Sequence, residues 1–146
     1  MVRASFVALV WLLVAGAVPA SAQSLIVCGW DEVFVLDVSA MPRKTWSWKA
    51  VDRPDLPEAY RTKFRTTDEC KAVAGNRMLI TASSDGAALV DRTTGKTLWW
   101  GECGNTHSAE LLPGDRIVLA CSVREGTGNK LALFDVREPA RELFAT

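Results

Sequence analysis

The residue types best suited to chemistry stand at two similar points of the chain. Asp68 and Glu69 precede one short apolar run, and the only histidine, His107, precedes another. A carboxylate beside an imidazole could bind a divalent metal or transfer protons. The alternative is that these groups only hydrogen-bond neighbouring loops and link the blades, since a lone histidine with carboxylates is a weak signal without geometry. We therefore predict a candidate site at these three residues and assign no metal and no cofactor to it.

Short apolar runs separated by turn residues surround these positions and predict antiparallel strands. In residues 68–100, turns at Gly75-Asn76, at 84–86 and at 93–96 separate four such runs. A short apolar run can also belong to a helix, but turns every ~8–12 residues favour strands. The second run, around Leu79, is apolar without alternation, so it must be covered on both faces.

The same pattern occurs again on both sides of this unit. Residues 25–37 overlay residues 79–91 without a gap, and residues 107–122 overlay residues 68–83. A repeat of ~40 residues with four strands is the period of a β-propeller blade. The predicted fold class is therefore all-β, a β-propeller of four-stranded antiparallel blades, incomplete, with about three blades present. The predicted blades span residues 24–49, 68–101 and 107–145.

An aspartate ends the third strand of every copy, at Asp37, Asp91 and Asp135. A carboxylate at that place can accept backbone N–H bonds from the turn that follows it. The three aspartates are therefore predicted to be structural.

The first copy lacks its innermost strand, and propellers close with ~4–8 blades. The missing part could be absent because the chain is truncated, or identical chains could assemble into a ring. Truncation is the more economical explanation. Open blade faces would expose apolar patches and strand edges, which predicts self-association.

Residues 1–22 have the pattern of a secretory signal peptide. Arg3 is followed by the apolar stretch Phe6–Val18 and then by the small-residue cleavage pattern at 20–22. The alternative is an uncleaved N-terminal anchor, although the apolar stretch is short for a membrane span. We expect a secreted or periplasmic protein that is not bound to a membrane after cleavage. The chain carries 17 Lys and Arg against 17 Asp and Glu, so no electrostatic argument favours a nucleic-acid partner.

The connection over residues 50–67 is much longer than the later link over residues 101–106. It carries Leu56, Tyr60 and Phe64 at one helical face, with basic residues around them. In a propeller the innermost strands line a central channel, and the loops that lead into them lie at one rim of that channel. We predict a short helix at this rim beside Asp68, which adds Tyr60 and Arg65 to the candidate site. The alternative is that Tyr60 and Phe64 only anchor the connection.

The four cysteines permit three pairings in an exported chain. Cys28 and Cys121 lie two blades apart in the overlay, which makes a bond between them implausible. Cys70 and Cys103 lie near one rim and could pair, and single buried thiols are an equal alternative. No arrangement of cysteine with histidine suggests catalysis.

Two sets of motifs resemble known propellers. Residues 88–99, ALVDRTTGKTLW, resemble the repeat of quinoprotein (PQQ-like) propellers, in which D-x-x-T-G-K and then a tryptophan join the outer strands. Residues 28–33, 65–71 and 107–114 resemble a bacterial secreted propeller family of unknown function, related to the quinoprotein-like and WD-type propellers. Members of that family are longer, so the resemblance implies that this chain is an N-terminal fragment.

The resemblance implies a fold more than an activity, and the absence of adjacent cysteines argues against the quinone cofactor of the dehydrogenases. The leading interpretation is a secreted binding or scaffold module for a carbohydrate, another small molecule or a protein. The alternative is an extracellular carbohydrate-active enzyme, or another hydrolase or lyase, with its site at the rim. The sequence leaves the choice between them open.

Overall fold

Eleven β-strands and one short α-helix make up the described part of the chain. The computed structural model describes residues 23–83, 86–122, 129–138 and 142–145. The predicted signal peptide, residues 1–22, lies outside the described residues. Within those ranges no helix is long and apolar enough to cross a membrane.

The strands form three antiparallel sheets in which every strand pairs with its neighbours along the chain. The first sheet has three strands: β1 (Ser24–Cys28), β2 (Val33–Asp37) and β3 (Arg43–Trp48). The second sheet has four strands: β4 (Thr67–Val73), β5 (Arg77–Ala82), β6 (Gly86–Asp91) and β7 (Thr97–Glu102). The third sheet also has four strands: β8 (Ser108–Leu112), β9 (Arg116–Ser122), β10 (Asn129–Asp135) and β11 (Glu142–Ala145). The predicted all-β class is confirmed, and the described sheets do not form a closed ring.

The second sheet is buried on both faces, as the unbroken apolar run around Leu79 predicts. We call its packing against the first sheet the first junction and its packing against the third sheet the second junction. Five of its side chains belong to the apolar cluster of the first junction: Met78, Ile80, Ala82, Ala88 and Val90. Four others belong to the cluster of the second junction: Leu79, Ala87, Leu89 and Trp99.

The predicted overlay of the first copy is shifted by one residue in its first strand. Ile26 pairs with Val35, whereas the equivalent pair in the second sheet is Leu79 with Leu89. The turn between β1 and β2 holds one residue more than the turn between β5 and β6. A one-residue shift moves a side chain to the opposite face of a strand. Leu25 is therefore 53% exposed, although the gapless overlay equates it with Leu79, which is 1% exposed.

The three turn aspartates have the structural role that the repeat predicts. Asp91 Oδ1 accepts the backbone N–H groups of Thr93 at 2.7 Å and Thr94 at 2.9 Å. Equivalent bonds reach Asp37 from Ser39 at 3.0 Å and Asp135 from Arg137 at 2.9 Å. The backbone of Thr94 holds the pKa of Asp91 below its usual value, and the Arg137 side chain lowers the pKa of Asp135 to about 2.

The long connection forms the predicted helix, α1 (Glu58–Lys63), after a single 3-10 turn, Ala50–Asp52. Pro57 is the N-cap residue of α1. Proline is suited to a helix start because a backbone N–H at that place would have no partner within the helix. Leu56, Tyr60 and Phe64 are buried in the first junction. The ring of Phe64 lies edge-on to Trp48, with centroids 5.6 Å apart. The connection therefore contributes to the core rather than only joining two sheets.

The four cysteines form two disulfides, Cys28–Cys70 and Cys103–Cys121, and neither pairing is one that the sequence suggested. The suggested pairing of Cys70 with Cys103 is wrong, and so is the suggestion of single thiols. Strand β1 lies directly against β4, and this contact brings Cys28 to Cys70. A backbone bond from Ser122 N to Gly104 O, 3.1 Å long, holds Cys103 beside Cys121.

Candidate functional site

Strands β4 and β8 begin side by side and bring Asp68 and His107 together. The His107 ring nitrogen Nδ1 is hydrogen-bonded to Asp68 Oδ2. Both side chains are accessible, His107 at 60% and Asp68 at 36%. A carboxylate that binds one imidazole nitrogen orients the ring and leaves the other nitrogen for proton transfer. The pair has the parts of a general base, and it also links the second sheet to the third.

The other acidic residue, Glu69, is used entirely in bonds across the second junction and along its own strand. Its carboxylate accepts the Ala109 backbone N–H at 3.2 Å and the Ser108 hydroxyl at 3.3 Å. Lys71 lies 3.0 Å from it and 2.6 Å from Glu110 on the neighbouring strand β8. Partial burial alone would lower the pKa of Lys71, but these two carboxylates outweigh burial and raise it. This arrangement supports the expected structural alternative for Glu69.

A pocket of about 500 Å³ lies beside His107, on the side of the third sheet that faces away from the second sheet. Ala120, Lys130 and Leu131 contribute to its wall. In the described ranges no group of three or more histidine, cysteine, aspartate or glutamate side chains could hold a metal ion.

Tyr60 is in the core, with only 1% of its surface exposed. Its hydroxyl donates to the backbone oxygen of Ala87 at 3.0 Å. Its ring lies 4.9 Å from that of Trp100 and 5.2 Å from that of Phe64. The expectation that Tyr60 faces a ligand is corrected by this burial: the residue anchors the connection, as the alternative stated.

Arg65 lines a different pocket, which we call the tryptophan pocket. The pocket has a volume of about 300 Å³. The turn before β2, the 3-10 turn and the end of α1 form it. Its lining residues are Trp30, Asp31, Val51, Arg61, Phe64 and Arg65.

The indole of Trp30 is 72% exposed at the edge of the tryptophan pocket, and its backbone is fixed. The Trp30 carbonyl accepts the Thr66 N–H at 2.7 Å, so the turn is held against the start of β4. No strand needs a tryptophan at this turn, because β3 supplies the tryptophans that pack in the first sheet, buried Trp48 and half-buried Trp46. The signal in the sequence was an aromatic residue in a turn that otherwise favours small and polar residues.

Positive charge dominates the tryptophan pocket. Arg61 and Arg65 line it, and the one carboxylate, Asp31, lies 3.5 Å from Lys49. The Nε atom of Arg61 is buried and has no hydrogen-bond partner within the described part of the chain. A planar guanidinium binds carboxylates and phosphates through paired hydrogen bonds. The pocket is therefore suited to an anionic group next to an apolar ring face.

Comparison with known proteins places the chain in a family without assigning an activity. Residues 17–137 match the model of a family of unknown function, DUF6528. No curated protein matches the chain. The expected resemblance to a family of unknown function is confirmed, whereas the relationship to quinoprotein and WD-type propellers stays a prediction.

One solved structure with a similar fold is the crystal structure of a protein of unknown function from Bacteroides caccae. It superposes with a TM-score of 0.58 and 18% sequence identity, over 86% of this chain. This chain spans 40% of that longer protein. At this level of identity the likeness concerns the fold alone. The family match covers most of the sequence, and the chain therefore belongs to the DUF6528 family, whose function is unknown.

Proposed function

We propose that this chain is part of an exported propeller-type repeat protein that binds an acidic carbohydrate in the tryptophan pocket. The observation that carries the proposal is the exposed indole of Trp30 in one small pocket with the guanidinium groups of Arg61 and Arg65. A volume of about 300 Å³ is at the lower end of the range for small-molecule sites.

The chemistry of the pocket favours a sugar ring with a carboxylate. An indole offers a flat apolar face on which the C–H side of a sugar ring can stack, and its area contributes strongly to binding. Arg65 is exposed and free to adjust, while helix α1 holds Arg61, so one guanidinium is placed in advance and the other can close on the ligand. Placing a charged donor in advance reduces the entropy that binding must overcome.

Two further observations support the exported, propeller-type part of the proposal. Disulfides persist in oxidising compartments, and both cysteine pairs of this chain are bonded. Three successive antiparallel meanders pack face to face in chain order, which supports a propeller-type fold.

The alternative function, a hydrolase or lyase at the rim, has less support. It requires Asp68, Glu69 and His107 to be available together, but Glu69 is bonded to Ser108, Ala109 and Lys71. The Asp68–His107 pair keeps the parts of a general base, but Glu69, the other carboxylate of the predicted site, is engaged in these bonds.

Calorimetric titration of the whole chain with galacturonic acid and with galactose tests the binding proposal, because the two sugars differ in the carboxylate at C6. We expect binding of the acid and much weaker binding of galactose. Arg65→Ala removes a charged hydrogen-bond donor, which is worth about 1.5–3 kcal/mol, so binding should weaken about 10- to 100-fold. Trp30→Ala should weaken binding of the acid as well.

Arg43→Ala is the matched control, because Arg43 is an exposed arginine of β3 that does not line the pocket. It should leave binding unchanged. Equal affinity for both sugars, no binding of either, or an equal loss in Arg43→Ala and Arg65→Ala would each contradict the proposal.

A further inference from the structure

Two sheet faces lie outside both junctions and are lined with apolar side chains. On the first sheet, the outward face carries Leu25, Val27, Phe34 and Leu36, which are half-buried or exposed. They lie opposite one another in two cross-strand pairs, Leu25 with Leu36 and Val27 with Phe34. On the third sheet, the outward face carries Val118, Ala120, Leu131 and Leu133.

The strand register shows which internal surface each outward face corresponds to. Leu133 pairs with Val118 as Leu89 pairs with Leu79 in the second sheet. The latter pair is buried in the second junction, facing the sheet that follows in the chain. The outward face of the third sheet is thus equivalent, in the repeat, to the face of the second sheet that packs against the next sheet in the chain.

The outward face of the first sheet corresponds to the opposite kind of surface. Leu25 pairs with Leu36 as Met78 pairs with Val90 in the second sheet. Those two residues are buried in the first junction, facing the sheet that precedes in the chain. The two outward faces are therefore complementary. The face of the third sheet has the residue positions that pack on a following sheet, and the face of the first sheet has those that pack on a preceding sheet.

We infer that the outward face of the third sheet binds the outward face of the first sheet of a second copy of this chain. Such a contact continues the two internal junctions with the same residue positions. Propellers close with ~4–8 blades, and two sets of the three described sheets make six. The association is head to tail and closes as a ring of two chains with two equivalent interfaces.

The pocket beside His107 has an explanation in this arrangement. Ala120 and Leu131 form its apolar part, and they pair with each other as Thr81 and Ala87 do in the second sheet. Thr81 and Ala87 are buried there. The pocket is thus the space that the neighbouring sheet occupies at the second junction.

The charged group beside the outward face of the first sheet is already paired within the chain. Lys44 lies over the ring of Phe34, 4.6 Å from its centroid, and is paired with Glu32 at 2.9 Å. The tryptophan pocket shares no residue with either outward face, so the ligand proposal and the assembly proposal stand or fall separately.

Sedimentation of the disulfide-bonded chain tests the inference. We expect the unmodified chain to sediment as a dimer at micromolar concentration. Leu25→Glu and Leu131→Glu each place an unpaired charge in both interfaces of the ring, so each should weaken association by more than about 100-fold. Both leucines are about half exposed in the single chain, at 53% and 51%, so the substitutions should leave its fold, and with it the circular dichroism spectrum, unchanged.

An equimolar mixture of the two variants gives the sharpest outcome. In a head-to-tail ring, a mixed pair has one interface with both substitutions and one with neither, so the mixture should re-associate through the unmodified interface. Met41→Glu is the control, because Met41 is 87% exposed in the turn after β2 and should leave the dimer intact.

A monomeric unmodified chain would overturn the inference and would indicate that a further sheet of a longer chain covers these faces instead. Sensitivity to only one of the two leucine substitutions would also overturn it, because it indicates a symmetric contact between identical faces. If either glutamate variant alters the circular dichroism spectrum, Leu25→Gln and Leu131→Gln replace the glutamate variants, and each should also associate more weakly than the unmodified chain.

Discussion

The first junction takes part of its core from the connection between two sheets, whereas the second junction is built almost wholly from strands. Leu56, Tyr60 and Phe64 enter the first apolar cluster from the segment between β3 and β4. At the second junction, the edge is closed by ionic contacts, such as Arg77 with Asp115 at 2.9 Å and Lys71 with Glu110.

The two junctions also differ in the number of strands on each side. The first sheet has no strand before β1 within the described residues, and β1 lies against β4, the first strand of the next sheet. The second and third sheets each have four strands, and their first strands lie side by side with charged side chains between them. The connection packs on β3, β6 and β7, through Trp48, Ala87 and Trp100, so its apolar residues fill the first junction on the side away from β1.

Phe64→Ala gives the largest expected effect at the first junction. Phe64 is buried and packs on Trp48 and Tyr60, so its removal should lower the free energy of unfolding by about 3–5 kcal/mol. Phe134→Ala is the matched variant at the second junction, because Phe134 is a strand residue packed 5.3 Å from Trp99. Urea denaturation of both variants should give similar losses. A loss below about 1 kcal/mol for Phe64→Ala alone would show that the connection is not part of the core.

Removal of each disulfide tests the same two junctions in another way, because a disulfide changes the free energy of unfolding by restricting the unfolded chain. The sequence separations are 42 residues for Cys28–Cys70 and 18 residues for Cys103–Cys121. From the entropy of loop closure we expect losses of about 4 and about 3 kcal/mol for the paired Cys→Ala variants. Thermal and urea unfolding of the two double variants measures the difference. The reverse order would mean that native contacts, rather than loop length, decide the effect.

Much of the fold is predictable from the sequence because local signals and burial agree there. The strands of the second and third sheets follow from turns such as Gly75-Asn76, and the unbroken run around Leu79 correctly predicts burial on two faces. The repeat also brings Asp68 close to His107. The one-residue shift at Leu25 was not predictable, because the number of residues in a turn changes the register without changing the apolar pattern.

The candidate site was predictable only for residues that stand at equivalent positions of successive repeats, such as Asp68 and His107. The Cys28–Cys70 disulfide depends on β1 lying against β4, a contact between elements far apart in the chain, so no local pattern predicts it. Trp30 lies in a turn whose position relative to Arg61 is set by the packing of helix α1. Tyr60 has the same helical spacing whether it faces a ligand or the core, and only the position of the neighbouring sheet distinguishes the two.

Lys71→Met gives the smallest effect that we expect, at the edge of the second junction. Exposed ion pairs contribute about 0.2–1 kcal/mol each, so loss of the contacts with Glu69 and Glu110 should cost about 1 kcal/mol. Lys49→Met, which removes the longer contact with Asp31, should cost less. Chemical denaturation in urea at low and high salt measures both, and salt should reduce the Lys71 effect because it screens the charges.

The pH dependence separates this charge effect from a loss of packing. Its two carboxylate partners raise the pKa of Lys71 above 10.5 in the folded chain, in spite of partial burial. A raised folded pKa stabilises the fold fully below pH 10.5, and that contribution is lost as the pH rises through the folded pKa. The unmodified chain and Lys71→Met should therefore differ at pH 7 and converge at pH values above 10.5. A difference that persists there would show that the lysine stem, and not its charge, holds the edge of the junction.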